Sequence, residues 1–253
     1  MRALGRFLAK ETVEIRRTWR LPTVGGVLLF FAVMSPLAAL ATPAIIASVS
    51  QSQPGVVIMV PDPTYLDSYL QWIKNLSQIG LLLVVFASAG LIAGERSSGT
   101  ALLVVVKPVS RRSFAVAKFL AQAGLVAGAT AVGTLVTWLG TLLAFGEAPA
   151  AALVAASGAW LVGALLAVAV TLALSAVLPT LAAGIVALVG FGLLGIAGLW
   201  PPLLQYTPVG ILSAPSALLA REPVALAVPL ATTALVIIVC VWAAGALFAR
   251  REL

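Results

Sequence analysis

From Ala148 to Ala220 no side chain carries a formal charge, a run too long for any water-exposed surface. Soluble domains hold about 25% Asp, Glu, Lys and Arg. This chain of 253 residues holds 9%, against 62% hydrophobic residues, and its mean hydropathy is +1.14. It reads as an all-α, polytopic membrane protein. At about 20 residues per span, the length accommodates roughly five to seven spans and leaves no room for a separate soluble domain. Residues 1–253 are therefore expected to form a single transmembrane domain.

The few charges give the orientation. Of the 15 lysines and arginines, all but Lys74 and Arg221 fall in three places. These are an N-terminal arm (Arg2, Arg6, Lys10, Arg16, Arg17, Arg20), a central island (Arg96, Lys107, Arg111, Arg112, Lys118) and the C-terminus (Arg250, Arg251). Cations concentrate on the cytoplasmic side of membrane proteins, so both termini and the island are expected inside, and the number of spans must be even. A net charge of +7 placed beside apolar spans points to membrane topology and not to nucleic acid. With no His and a lone Cys240 inside an apolar segment, neither a disulfide framework nor a His/Cys metal site can be assembled.

A hydropathy walk predicts six spans. The first runs from Val24 to about Ala47, with Pro36 and Pro43 expected to kink or end it. The second covers Leu76 to Gly94 and the third Phe114 to Phe145, followed by an outer turn at Gly146-Glu147-Ala148-Pro149. The charge-free run divides at Leu178-Pro179-Thr180 into spans of about Ala151 to Val177 and Leu181 to Leu199. Five prolines between Trp200 and Pro223 break the next stretch, so residues 200–223 are expected to be an outer re-entrant segment of short, protein-shielded helices. The sixth span runs from about Val224 to Phe248.

Two amphipathic stretches flank these spans. In residues 1–22, Leu4, Phe7, Leu8 and Ile15 form an apolar stripe opposite Arg2, Arg6, Arg16 and Arg17, the pattern of an interfacial helix on the inner membrane surface. After Pro61-Asp62-Pro63, the residues Tyr65, Tyr69, Trp72 and Leu76 share one helical face. That pattern predicts an aromatic helix at headgroup level.

Within the island, residues 95–113 predict a cytoplasmic loop with a short helix through Gly99, Thr100 and the apolar run to Val106. It ends where Pro108 disfavours helix at Lys107. An isolated helix this short is marginal in water and needs a surface to cover it. Topology accounts for the cations here but not for Glu95, which snorkels poorly.

The order Gly94-Glu95-Arg96, Gly99-Thr100, an apolar run, Lys107-Pro108-Val109-Ser110-Arg111 and Lys118 resembles the loop after the second span of type-2 ABC transporter permeases. The resemblance extends to the basic arm, the six spans and the broken segment before the last. In that family the loop docks into a cleft of a cytoplasmic ATPase with the N-terminal helix beside it. The resemblance implies that Glu95, Arg96, Gly99, Thr100, Leu102, Leu103, Lys107 and Arg111 form or flank the ATPase-coupling surface. It further implies a permease subunit of an exporter, in the plasma membrane of a prokaryote, that pairs with a second copy or a paralogue. No lysine here follows a glycine, so the chain lacks a Walker A loop, and ATP and Mg are expected in separate ATPase subunits.

Other classes fit the sequence less well. Ion-coupled carriers or channels place ionisable groups within the membrane, and the predicted spans hold almost none. An intramembrane enzyme would need an acid pair, a His or a metal cluster, and no catalytic residue is identified. For the cargo, Thr130, Thr134, Thr137 and Trp138 are candidates to face a translocation path, with Ser157, Trp160, Thr171 and Ser175 as a second group. A charge-free interior favours an amphipathic or apolar cargo.

Overall fold

The computed structural model describes residues 2–51, 62–97 and 111–250. Among them there is no strand, and six helical segments are long and apolar enough to cross a membrane: Arg20–Ala47, Tyr65–Ser97, Arg112–Phe145, Ala150–Ser175, Thr180–Ala197 and Ala227–Phe248. The chain is an all-α multi-pass membrane protein. Its helices are α1 (Arg2–Arg17), α2 (Arg20–Gln51), α3 (Tyr65–Asn75), α4 (Leu81–Ala89), α5 (Ala93–Ser97), α6 (Arg111–Phe145), α7 (Ala150–Ser175), α8 (Thr180–Ala197), α9 (Pro201–Tyr206), α10 (Val209–Leu219) and α11 (Ala227–Arg250).

The second span is longer than its hydropathy suggests. Helix α3 runs through one wide π-type turn, Leu76–Gly80, straight into α4, so the aromatic stretch belongs to the span. Two of its rings are covered by protein. Tyr69 and Trp72 are fully buried, and the Trp72 indole N–H donates to Ser157 Oγ at 3.1 Å. Opposite Trp72, a Cβ on Gly133 would lie 2.6 Å from the ring, so only glycine lets α6 approach this closely. Helical spacing identified the face correctly. What covers it is a neighbouring helix and not lipid headgroups.

Helix α2 passes through both prolines without ending. Proline 36 lacks the N–H that would bond the carbonyl of Ala32. Thr137 of α6 supplies the missing donor, its hydroxyl reaching that carbonyl at 3.3 Å. The break in one span is thus repaired by another.

Turns fall where the sequence placed them. Gly146, at φ +70°, closes α6, a left-handed conformation that glycine adopts without steric cost. Trp138 and Tyr69 then donate to the carbonyls of Ala148 and Pro149, at 2.9 and 3.5 Å, fixing the α6–α7 turn. Pro179 caps α8 four residues after α7 ends. The proline-rich stretch forms α9 and α10, and α10 buries Val209, Ile211, Ala214 and Leu219, packing chiefly on α7.

The opposite end of the bundle gathers α1, α5, the start of α6 and the end of α11. Phe7 meets Phe114 edge-on at 6.3 Å, and Phe114 stacks on Phe248 at 5.4 Å. Arg112 sits over the Trp242 ring at 5.4 Å. The described segments that end at Ser97 and resume at Arg111 both do so at this root end.

Candidate functional site

At the root end six ionisable residues from four helices meet. Lys118, one turn into α6 from Phe114, is completely buried and points to two carboxylates. Its ammonium donates to Glu95 Oε1 of α5 at 2.8 Å and to both oxygens of Glu11 of α1 at 3.3 Å. Lys10 adds a second cation, donating to Glu95 Oε1 at 3.1 Å and lying 3.6 Å from Glu11 and 3.5 Å from Glu14. Arg20 of α2 approaches Glu14 at 3.8 Å. Three cations face three anions.

Burial sorts these contacts by strength. The Lys118 and Glu11 side chains are 0% and 2% exposed, so their attraction is barely screened by water. The side chain of Lys10 is 49% exposed, and pairs of that kind contribute little on their own. Burial by itself would lower the Lys10 pKa, but the hydrogen bond and charge of Glu95, with the charges of Glu11 and Glu14, outweigh it and raise the group above 10.5. The ammonium of Lys118 also lies over the Phe114 ring, 4.9 Å from its centre.

Arg96 works differently. Its guanidinium donates to the backbone carbonyls of Ala176 at 3.0 Å and Leu178 at 3.5 Å, satisfying groups that the end of α7 leaves without intrahelical partners. Nearby, the N–H of Ile92 donates to Ser175 Oγ at 3.3 Å. The start of the central loop is therefore tied on one side to the α7–α8 turn and on the other, through Glu95, to α1 and α6.

Of the eight residues expected to couple to an ATPase, Glu95 and Arg96 face inward and hold the loop's root. Arg111 is the first residue of α6. Gly99, Thr100, Leu102, Leu103 and Lys107 lie outside the described residues. Of the six clustered residues the sequence reading places only Glu95 in the site: Lys10, Arg20 and Lys118 enter it as cations alone, and Glu11 and Glu14 are missed. A signal was present, since Glu11 falls between Phe7 and Ile15 at helical spacing and so interrupts the apolar stripe with an acid. Glu11, Glu14 and Glu95 each bring a carboxylate oxygen within 4.8 Å of the others, a spacing that a cation could bridge. The ammonium groups of Lys118 and Lys10 supply that positive charge from within the chain.

The residues proposed for a path divide. Thr130, Thr134 and Trp138 line a cavity of about 420 Å³ between α6 and α7, with Ser157 on its other wall. Thr137 is on another face of α6, bonded to α2.

The sequence pattern of the ABC-2 family transporter proteins matches residues 26–198, which takes in five of the six spans and the root of the loop. The chain belongs to the ABC-2 transporter family. Among curated proteins it is similar to the uncharacterized transmembrane protein YxlG of Bacillus subtilis (strain 168), with 25% identity over 122 residues. That alignment covers 48% of this chain and 47% of the relative, so the chain spans about half the length of the curated relative it matches.

Proposed function

We propose that this chain is the membrane-spanning permease subunit of an ABC exporter, and that residues 95–113 couple it to a separate ATPase that carries ATP and Mg. The observation that carries this reading is the fully buried Lys118, which joins Glu11 of α1 to Glu95 at the loop's root. A loop that only connected two spans would need no such anchor. Holding a docking element against α1 and α6 calls for one, because a contact transmits movement only when its base does not yield.

In this reading the root end is cytoplasmic, both termini lie inside, and the protein sits in a prokaryotic plasma membrane. Two permease subunits, identical or paralogous, pair with two ATPases. The loop presents the run from Ala101 to Val106 to the ATPase, with Gly99, Thr100, Lys107 and Arg111 around it. The cargo is amphipathic or apolar, in keeping with the charge-free stretch from Ala148 to Ala220.

Replacing Leu102 and Leu103 together by Asp tests this. The bundle should fold and elute normally while the copurifying ATPase is lost, or its hydrolysis ceases to respond to cargo. A double variant that retains a full ATPase complement and normal transport would reduce the loop to a spacer.

A further inference from the structure

The cavity between α6 and α7 has a shape that none of the coupling chemistry uses. It extends along α6 from Trp138 to Ala127 and along α7 from Ala150 to Leu161. At 1.5 Å per residue each wall is about 16 Å long, close to half of a roughly 30 Å hydrocarbon core. Its position agrees with one leaflet. Counting along α6 from Lys118, at the charged boundary of the root end, about 30 Å of helix ends at Trp138, a residue type that prefers the membrane interface. The slot thus starts at the interface near the α6–α7 turn and stops near the midplane.

Its surface is mainly hydrocarbon, and none of the described residues that line it is charged. The slot opens sideways. Leu135 and Val154 on its rims are 53% and 61% exposed, and Ala131 and Gly158 between them are exposed too. A Cβ added to Gly158 would meet nothing within 4 Å. The interior keeps one polar group unused: Thr134 is 8% exposed, and its buried Oγ1 has no hydrogen-bond partner among the described residues. It lies one turn below Trp138, at the depth where an acyl ester meets the hydrocarbon of its chain. About 420 Å³ is the size of a small-ligand pocket and too little for a helix about 10 Å across to enter along that length.

We propose that this slot binds one acyl chain of an ester-linked lipid from the leaflet at the α6–α7 turn, with Thr134 donating to the ester carbonyl. Leaflet-long walls, a lateral opening toward lipid and a single hydroxyl just inside the interface match that ligand. Binding here does not depend on the ATPase reading, because it concerns occupancy and not transport.

The test uses the protein as purified, in excess dodecyl maltoside micelles, with a phosphatidylglycerol that carries a diazirine on one palmitoyl tail. Labelling should saturate at one per chain, map to residues 127–138 and 150–161, and be competed by ordinary phosphatidylglycerol. The double variant Ala131→Leu/Gly158→Leu fills the slot from open positions, so it should melt like the parent protein and lose the saturable label. Thr134→Val keeps the shape and should weaken competition about five-fold, the value of one neutral hydrogen bond. Labelling that fails to saturate and spreads equally over Leu181–Leu199 would show annular lipid only and overturn the proposal. So would an undiminished signal in the filled variant, or, if that variant is unstable, unchanged affinity in Thr134→Val.

Discussion

Removing the charge of Lys118 is the most direct test of the anchored root. In Lys118→Met the shape of the stem is largely kept, but Glu11 and Glu95 lose the ammonium at 3.3 and 2.8 Å. Glu95 keeps Lys10 at 3.1 Å, whereas Glu11, 2% exposed, keeps only the longer 3.6 Å contact to the same lysine. Breaking a buried ion pair from one side costs about 3–5 kcal/mol. Because Lys10 still offsets part of the two negative charges, a cost of roughly 3 kcal/mol is expected, at the lower end. For a domain of this size that corresponds to a fall in melting temperature of roughly 6–12 °C. The loss should come from stranded carboxylates and not from the missing ammonium itself. The triple variant Lys118→Met/Glu11→Gln/Glu95→Gln therefore should recover most of it, as whole buried ion networks can often be replaced at little cost. Melting is followed in detergent by loss of the monodisperse elution peak. A single variant that melts like the parent, or a triple variant no better than the single, would show that the cluster does not hold the root. ATPase association measured on the same samples separates anchoring from folding: the triple variant should be stable yet couple poorly, since the neutral groups tie α1 to α5 less firmly.

Two further outcomes test the wider reading. With Cys240 replaced by Ala, Asp62→Cys or Glu147→Cys should react with an impermeant maleimide in intact cells while Ser98→Cys and Arg251→Cys should not, and labelling of residue 98 from outside would reverse the orientation. In proteoliposomes that contain this chain and its ATPase, cargo movement should stop without ATP and Mg²⁺ and persist with a protonophore; uptake by the chain alone under an imposed pH gradient would favour an ion-coupled carrier.

The spans were legible because each depends on local chemistry. Gly146, Pro179 and the prolines between 200 and 223 mark their own turns, and apolar runs of about 20 residues mark the helices between. The site was legible only by half. Glu95 stood out as an acid that topology could not explain, but its partners come from residues 10–11 and 118, and nothing in local spacing brings α1 to α6. Tyr69 and Trp72 show the same limit. Their period identifies a face, while the helix that covers it is admitted by Gly133, some sixty residues away. Thr137 looked like a path residue because a hydroxyl in an apolar helix invites that reading; its actual partner exists only because Pro36 leaves a carbonyl free.

Arg96 reaches main-chain oxygens and not side chains. Every residue has such an oxygen, so the joint makes no demand on which amino acids stand at 176 and 178. All of its specificity rests on one side. A homologue or a designed variant can change residue 178 and keep the join, while Ala176 is fixed by its packing and not by this bond; position 96 tolerates little, because lysine is a compact point charge without the planar fork that spans two carbonyls at once. Substitutions around this turn should therefore show strong selection at position 96, selection for a small side chain at the buried position 176, and tolerance at 178.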